Sequence, residues 1–341
     1  MNRKETETQD FTHDVEVTKE INIANYDYDI NIKVVGIGGA GNNAIDGMYK
    51  SGLFNDVQLI AVNSDVQDLQ RIEADKKIII GGDSTGRLGT GFHVEVGRRA
   101  AQESREALTA GLRNADLVFL IAGMGGGTGT GATPEIIKIA QELDILVVTF
   151  TILPFDFEGQ IRRNIAKKGL FEVKELSDGF IVVSNDKLIE KVDVNLPMMA
   201  AFKMVNDLIQ ENILGIIKIL RNNSLINIDF ADLQRLIIKR NTELYLGTGY
   251  GSGDNAVDNA VTQAASTPFI ATDLEQISFA IIHLTIGKNI PLSNLSLIES
   301  RVVELIGKNV DLIIGIHVDE EEGDHDIVLR IIGTDANNSL L

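Results

Sequence analysis

From Ile30 onward the chain alternates short apolar runs with stretches of helical length. Ile32 to Ile37, Val57 to Val62, Lys76 to Ile80, Leu117 to Ala122, Ile145 to Ile152 and Phe180 to Val183 read as buried strands. Gly97 to Leu112 and Thr133 to Leu143 read as helices between them. In the second, Ile136, Ile139, Ala140 and Leu143 recur at i, i+3, i+4 and i+7, and Thr133-Pro134-Glu135 is a helix start signal. Strand and helix in alternation predict an α/β fold with a mostly parallel, doubly wound sheet, in which ligands sit at the carboxyl ends of the strands.

Met198 to Leu220 is a long, proline-free, apolar-rich helical segment that closes this first half. Beyond it, strands are predicted at Glu243 to Thr248, Ile277 to Ile286, Val310 to His317 and Ile327 to Ile332, with helices over about Asp254 to Ala265 and Leu292 to Ile306. The charged turn Asp319-Glu320-Glu321-Glu322-Gly323-Asp324 joins the last two strands and predicts an antiparallel hairpin with a solvated tip. The expected organisation is a flexible acidic arm at 1–29, a first domain at 30–197, a central helix at 198–221, a smaller α+β domain at 222–335 and a tail at 336–341.

Composition narrows the classes. With 44% hydrophobic and 23% charged residues, the 341-residue chain has ordinary globular usage and enough length for two domains. Its formal net charge of −18 repels a phosphate backbone, so nucleic acid is not an expected partner. With no cysteine, disulfides, thiolate metal sites and cysteine nucleophiles are excluded. No apolar stretch follows the first basic residues and no later segment offers about 20 uninterrupted apolar residues, so neither secretion nor direct membrane insertion is expected, and a cytoplasmic location fits.

Glycine placement carries the chemistry. Gly36-Ile37-Gly38-Gly39-Ala40-Gly41-Asn42-Asn43 follows the first strand and satisfies G-x-G-x-x-G, a weak dinucleotide signal with Asp65 about two dozen residues on. Gly123-Met124-Gly125-Gly126-Gly127-Thr128-Gly129-Thr130-Gly131 follows the fourth strand. Such a run can turn successive amides toward one anion, the next helix adds its N-terminal dipole, and Thr128 and Thr130 add hydroxyl donors. Neither loop contains lysine, so a triphosphate here must have its charge offset by amides, a helix end and a magnesium ion, with no metal ligand expected from the protein directly. Asn227-Ile228-Asp229-Phe230-Ala231-Asp232 precedes a helical run, Leu233 to Lys239. Its two carboxylates, three apart, share one face of a starting helix, and capping is their plain reading.

GMGGGTGTG at Gly123 to Gly131 resembles the glycine signature of the tubulin and FtsZ superfamily, and its Thr130 favours the prokaryotic side over the eukaryotic tubulins. The likeness runs from about Ile30 to Gly333, with several motifs in the family's order. It implies a Rossmann-like GTPase domain followed by a C-terminal α+β domain. By this resemblance, Gly38 to Asn43 approach the diphosphate, Ala61-Val62-Asn63-Ser64-Asp65 matches the next segment, and Gly125 to Gly131 bind the phosphates of GTP or GDP. Glu158, in Pro154-Phe155-Asp156-Phe157-Glu158-Gly159, contacts ribose, with Arg162 beside it. Phe202 stacks on guanine, while Asn185, Asn206 and Asp207 read its edge.

The segment Asn227 to Asp232 resembles the loop that one FtsZ subunit inserts into the nucleotide pocket of the next. The resemblance therefore implies hydrolysis completed in trans, with Asp229 and Asp232 orienting the attacking water and Asn227 helping to hold it. The expected partner is the chain itself in a head-to-tail homopolymer, with a division or membrane-adaptor protein as a further partner and the cytoplasmic division site as the location. Three departures stand out. Arg87, in Thr85-Gly86-Arg87-Leu88-Gly89-Thr90-Gly91, occupies a usual glycine position, Val94 a common proline position, and Lys239-Arg240-Asn241-Thr242 a usually uncharged stretch. The tail Asn337 to Leu341 shows neither the flexible linker nor the terminal peptide by which FtsZ proteins reach membrane anchors. The alternatives are a GTP-binding regulatory or structural relative with weak hydrolysis, or an NAD-dependent oxidoreductase, which leaves the second glycine run unexplained.

Overall fold

A computed structural model of the chain describes residues 30–187, 197–221, 224–237, 241–266, 277–307, 310–319 and 326–334. In chain order the elements of the first half are β1 (Ile32–Ile37), α1 (Gly38–Ser51), β2 (Gln58–Asn63), α2 (Val66–Arg71), β3 (Lys76–Ile79), α3 (Val94–Glu103), α4 (Arg105–Leu112), β4 (Leu117–Gly123), α5 (Thr128–Glu142), β5 (Leu146–Leu153), α6 (Gln160–Leu176) and β6 (Gly179–Ser184). Then follow α7 (Met198–Arg221), α8 (Phe230–Leu236), β7 (Thr242–Gly251), α9 (Ala256–Ala265), β8 (Phe279–Gly287), α10 (Leu292–Ile306), β9 (Asp311–Asp319) and β10 (Ile327–Thr334).

The strands form one sheet in the order β3-β2-β1-β4-β5-β6-β7-β10-β8-β9. β1 to β6 are parallel throughout, and β7 joins β6 through a short parallel register, Gly179 opposite Thr242 and Phe180 opposite Glu243. The sheet is covered on both faces, as a parallel sheet must be. Along β1, Ile32 and Val34 join a core with Ile45 and Met48 of α1 and Ile209, Ile213 and Ile216 of α7. Val35 and Ile37 point the other way, into a core with Ile136, Ile137 and Ile139 of α5 and Leu108 and Leu112 of α4. The α/β fold with a mostly parallel sheet and a second α+β portion is therefore the observed one.

Three expectations are corrected. β9 and β10 do not form a hairpin: β10 lies between β7 and β8, antiparallel to both, while β9 pairs with β8, in parallel, at the end of the strand order. The reason is burial. β10 buries Ile327, Leu329, Ile331 and Ile332, as a central strand needs, whereas β9 is mostly half-exposed. The acidic turn at 320–325 lies outside the described residues, as do the arm at 1–29 and the tail at 335–341. The helix expected from Thr133 begins at Thr128, so Pro134 sits inside it, and the helix expected over Gly97 to Leu112 is broken at Ser104 into α3 and α4.

Candidate functional site

A cavity of about 560 Å³ opens at the carboxyl ends of the central parallel strands. β1, β4, β5 and β6 deliver Gly38, Gly123, Pro154 and Asn185 to its walls. Two helices begin there. Neither α1 nor α5 has a side-chain N-cap or an acidic residue in its first turn, so their leading amides are left for a ligand at the site. Two uncapped positive helix ends facing one cavity make a strong anion site.

Close packing fixes the glycines. Gly38 is left-handed, φ 70°, and a Cβ there would stand 3.1 Å from the amide nitrogen of Gly129, so the two glycine loops abut. A Cβ on Gly127 would lie 2.1 Å from the Thr90 hydroxyl, which presses the loop before α3 onto the second run. Gly38, Gly39, Ala40, Asn43, Gly126, Gly127, Thr128 and Gly129 line the cavity. The other members of the two loops play supporting parts. Gly41 packs on the Ile121 carbonyl, Gly131 on that of Val94, Thr130 Oγ1 accepts from the Gly125 amide at 2.9 Å, and Asn42 is buried with neither amide atom paired.

The far wall carries the remaining candidates. Glu158 Oε1 accepts from the Phe155 amide at 2.8 Å, and the other carboxylate oxygen accepts from Arg162. Phe155 in turn meets Phe202 edge-on at 5.3 Å between ring centroids, and the Asp156 amide donates to Asp186 at 2.9 Å, tying this loop to the end of β6. Glu158, Arg162, Asn185, Phe202 and Asn206 all line the cavity. Asp207 does not: it faces outward, half-exposed, paired with Lys203 at 2.6 Å. Asn63 and Asn185, both lining residues, each keep one buried side-chain amide atom without a partner, which suits a polar ligand.

Several lining residues were not singled out from sequence. Thr90, Phe92, Met124 and Asp68 belong to this group, and the glycine-rich stretch from Gly86 to Gly91 was the signal for the first two. Arg87 in that stretch has φ 66°, and Phe92 just after it φ 67°, left-handed conformations that normally call for glycine. This is the physical content of the departure at Arg87. Of the stretch from Lys239 to Thr242, residues 239–240 lie outside the described residues.

Asn227, Asp229 and Asp232 stand apart from the cavity. Phe202 and Asn206 lie near the N-terminal end of α7, and Asp229 follows its C-terminal end, 19 residues or about 28 Å of helix from Phe202 to Arg221. An antiparallel bridge from Ile226 to Ile316 then holds the connecting segment on edge strand β9. Asp229 caps α8 and Asp232 reciprocates. Among the described residues no group of three or more His, Asp or Glu side chains is arranged to hold a metal ion by itself, and no helix is long and apolar enough to cross a membrane.

Comparison with known proteins bears on this arrangement. Residues 31–193 match the Tubulin/FtsZ family GTPase domain, and residues 243–336 match the FtsZ family C-terminal domain. An FtsZ dimer from M. jannaschii is 32% identical, with a TM-score of 0.80 over 91% of this chain and 89% of that one. CetZ2 from Haloferax volcanii, solved as a GTPγS-bound protofilament, is 20% identical with a TM-score of 0.73, covering 90% of this chain and 94% of its own. GDP-bound CetZ1 from the same organism is 18% identical with a TM-score of 0.75, over 89% and 94%. At those identities the CetZ likeness is one of fold. The chain thus belongs to the tubulin/FtsZ family, a family of GTPases of the cytoskeleton.

Proposed function

We propose that this protein binds GTP in the cavity between the two glycine loops, polymerises head to tail, and hydrolyses GTP only when a second copy supplies Asn227, Asp229 and Asp232. The separation of these acids from the cavity by the length of α7 supports this reading best: one protomer has the phosphate cradle at one end of the helix and the water-handling carboxylates at the other. Stacking two copies brings unlike ends together, a heterologous contact that propagates into a filament when its rotation does not close.

Within the cavity the amides opening α1 and α5 hold the phosphates. Glu158 and Arg162 face the sugar, Phe202 stacks on the base, and Asn185 and Asn206 hydrogen-bond its edge. Asp207 accepts from the N1 and N2 hydrogens of guanine once it exchanges Lys203 for the base. Magnesium would be held chiefly by the phosphates and water, and there it would supply charge neutralisation. Asp229 and Asp232 orient the attacking water, and Asn227 helps hold it. The cellular role proposed is filament formation at the division site, through a membrane adaptor.

The test is sedimentation with GTP, with GDP and without nucleotide, alongside phosphate release across protein concentrations. Pelleting with GTP and a rate per subunit that climbs above a threshold concentration are expected. A rate per subunit independent of concentration counts against the trans site.

A further inference from the structure

The cavity has a strap across its phosphate end, the loop before α3, whose aromatic tip the family reading leaves unassigned. The loop before α3 closes in a tight turn in which the His93 amide donates to the Thr90 carbonyl at 3.1 Å, with left-handed backbone at both intervening positions, Gly91 (φ 56°) and Phe92 (φ 67°). The base of the turn is close-packed, since Thr90 and His93 lie against Gly127. Its tip carries a bulky ring where the conformation favours glycine or asparagine, so the backbone is held against its preference. At 57% exposed, this aromatic gains little from burial at a position its backbone disfavours.

The ring does have a partner. The Arg162 guanidinium lies over Phe92, 5.1 Å from the ring centroid, within cation–π reach. Phe92 comes from the loop on one wall of the cavity and Arg162 from α6 on the other, and both line it. Arg162 is also ion-paired with Glu158, which accepts from the Phe155 amide, and Phe155 meets Phe202. A continuous collar of contacts therefore runs from the phosphate side of the mouth to the base side, and Phe92–Arg162 is its link between the two walls.

We infer that Phe92 is a gating residue: its contact with Arg162 bridges the phosphate end of the pocket, and nucleotide exchange requires that contact to open. The inference rests on the guanine-nucleotide reading of the cavity given above. Because the contact joins two groups of the protein itself, it must part for entry as well as for exit. Both rates rise when it is removed, and equilibrium affinity changes less than either.

The test is stopped-flow release of mant-GDP, chased with excess GDP at protein concentrations below assembly, for the parent and for Phe92→Gly, Phe92→Leu and Phe92→Tyr. Glycine suits the left-handed position, so the first variant removes the ring without disturbing the turn. Phe92→Gly and Phe92→Leu are expected to release roughly two- to five-fold faster, the change that loss of one exposed cation–π contact produces, and Phe92→Tyr at the parental rate. Release from Phe92→Gly at the parental rate overturns the gate, and parental release from Phe92→Leu overturns the role of the π face. Failure of the parent to take up mant-GDP overturns the guanine reading, and the gate with it.

Discussion

Asp229 and Asp232 cap one another: the Asp232 amide donates to Asp229 Oδ1 at 3.0 Å, and the Asp229 amide donates to Asp232 Oδ2 at the same distance. This reciprocal box starts α8 and gives each carboxylate one backbone partner. Capping therefore does not preclude the catalytic role proposed for these residues, and substitution separates the two. Asparagine retains an oxygen that caps, while alanine does not. Asp229→Ala is expected to destabilise by about 1 kcal/mol and Asp229→Asn by only a few tenths. Both are expected to lower GTP turnover by about a hundredfold while leaving nucleotide binding intact. Thermal unfolding read beside phosphate release checks this, and full turnover in Asp229→Asn would leave capping as the sole task of that residue.

A trans site predicts complementation. Asp232→Asn keeps its pocket and loses an acid. Gly39→Glu keeps its acids and blocks its pocket, because a side chain at Gly39 meets nothing within 4 Å and its carboxylate would occupy the helix-end amides that a phosphate needs. Each alone is expected to be nearly inactive. An equal mixture should recover about a quarter of the parental phosphate release, the share of junctions that pair an intact pocket with intact acids under random head-to-tail stacking. Activity no greater than the sum of the separate samples would show that both halves must come from one chain.

The elements that apolar periodicity sets were legible in the sequence. β1 and α10 fall on their expected spans, and α7 differs by a single residue at its end. What escaped is governed by tertiary contact. Thr128 to Gly131 has poor helix propensity and reads as loop, yet it forms the first turn of α5 because only glycine lets Gly131 touch α3 and Gly129 touch β4. The place of β10 between β7 and β8 is a matter of which strand buries both faces, and neighbours in sequence do not reveal it. That the glycine loops and Phe202 gather at one cavity was readable from motif. The aromatic tip at Phe92 was not, because its significance lies in a backbone angle and in Arg162 across the cavity.

Arg98 holds α3, and with it the loop that carries Phe92, against the rest of the first half. Its guanidinium donates to both oxygens of Glu172 at 2.8 Å and to Glu135, which is buried, at 3.3 Å. Burial alone raises the Glu135 carboxyl, but hydrogen bonds from Lys138, Gln102 and Arg98 outweigh it and hold the carboxyl below its ordinary range. Arg98→Ala leaves that buried charge with fewer partners and is expected to destabilise by about 2–3 kcal/mol, since Arg98 itself is a fifth exposed. Urea denaturation measures it. A change below about 0.5 kcal/mol would mean the network is dispensable.

His283 makes the second half sensitive to acid. It is 1% exposed, neither ring nitrogen has a hydrogen-bond partner, and it lies directly opposite Arg330 across the β8–β10 register. Arg330 packs on Gly215 of α7, close to the Glu211–Tyr250 hydrogen bond, and Arg330 and Asp319 bear on Lys218. Burial first, then the positive charges of Arg330 and His317, push the His283 imidazole down to about 4. The folded state therefore keeps this histidine neutral where the unfolded chain protonates it. Its contribution to stability is complete above pH 6.5 and is lost as pH falls from 6.5 toward 4, up to about 3 kcal/mol in all. His283→Leu removes the proton-binding group and fills the same apolar face. The urea midpoint of the parent is expected to fall between pH 6.5 and 4.5 more steeply than that of the variant, with the two close at pH 7.5. Parallel decline of both midpoints across that window would assign the acid sensitivity to the carboxylates instead.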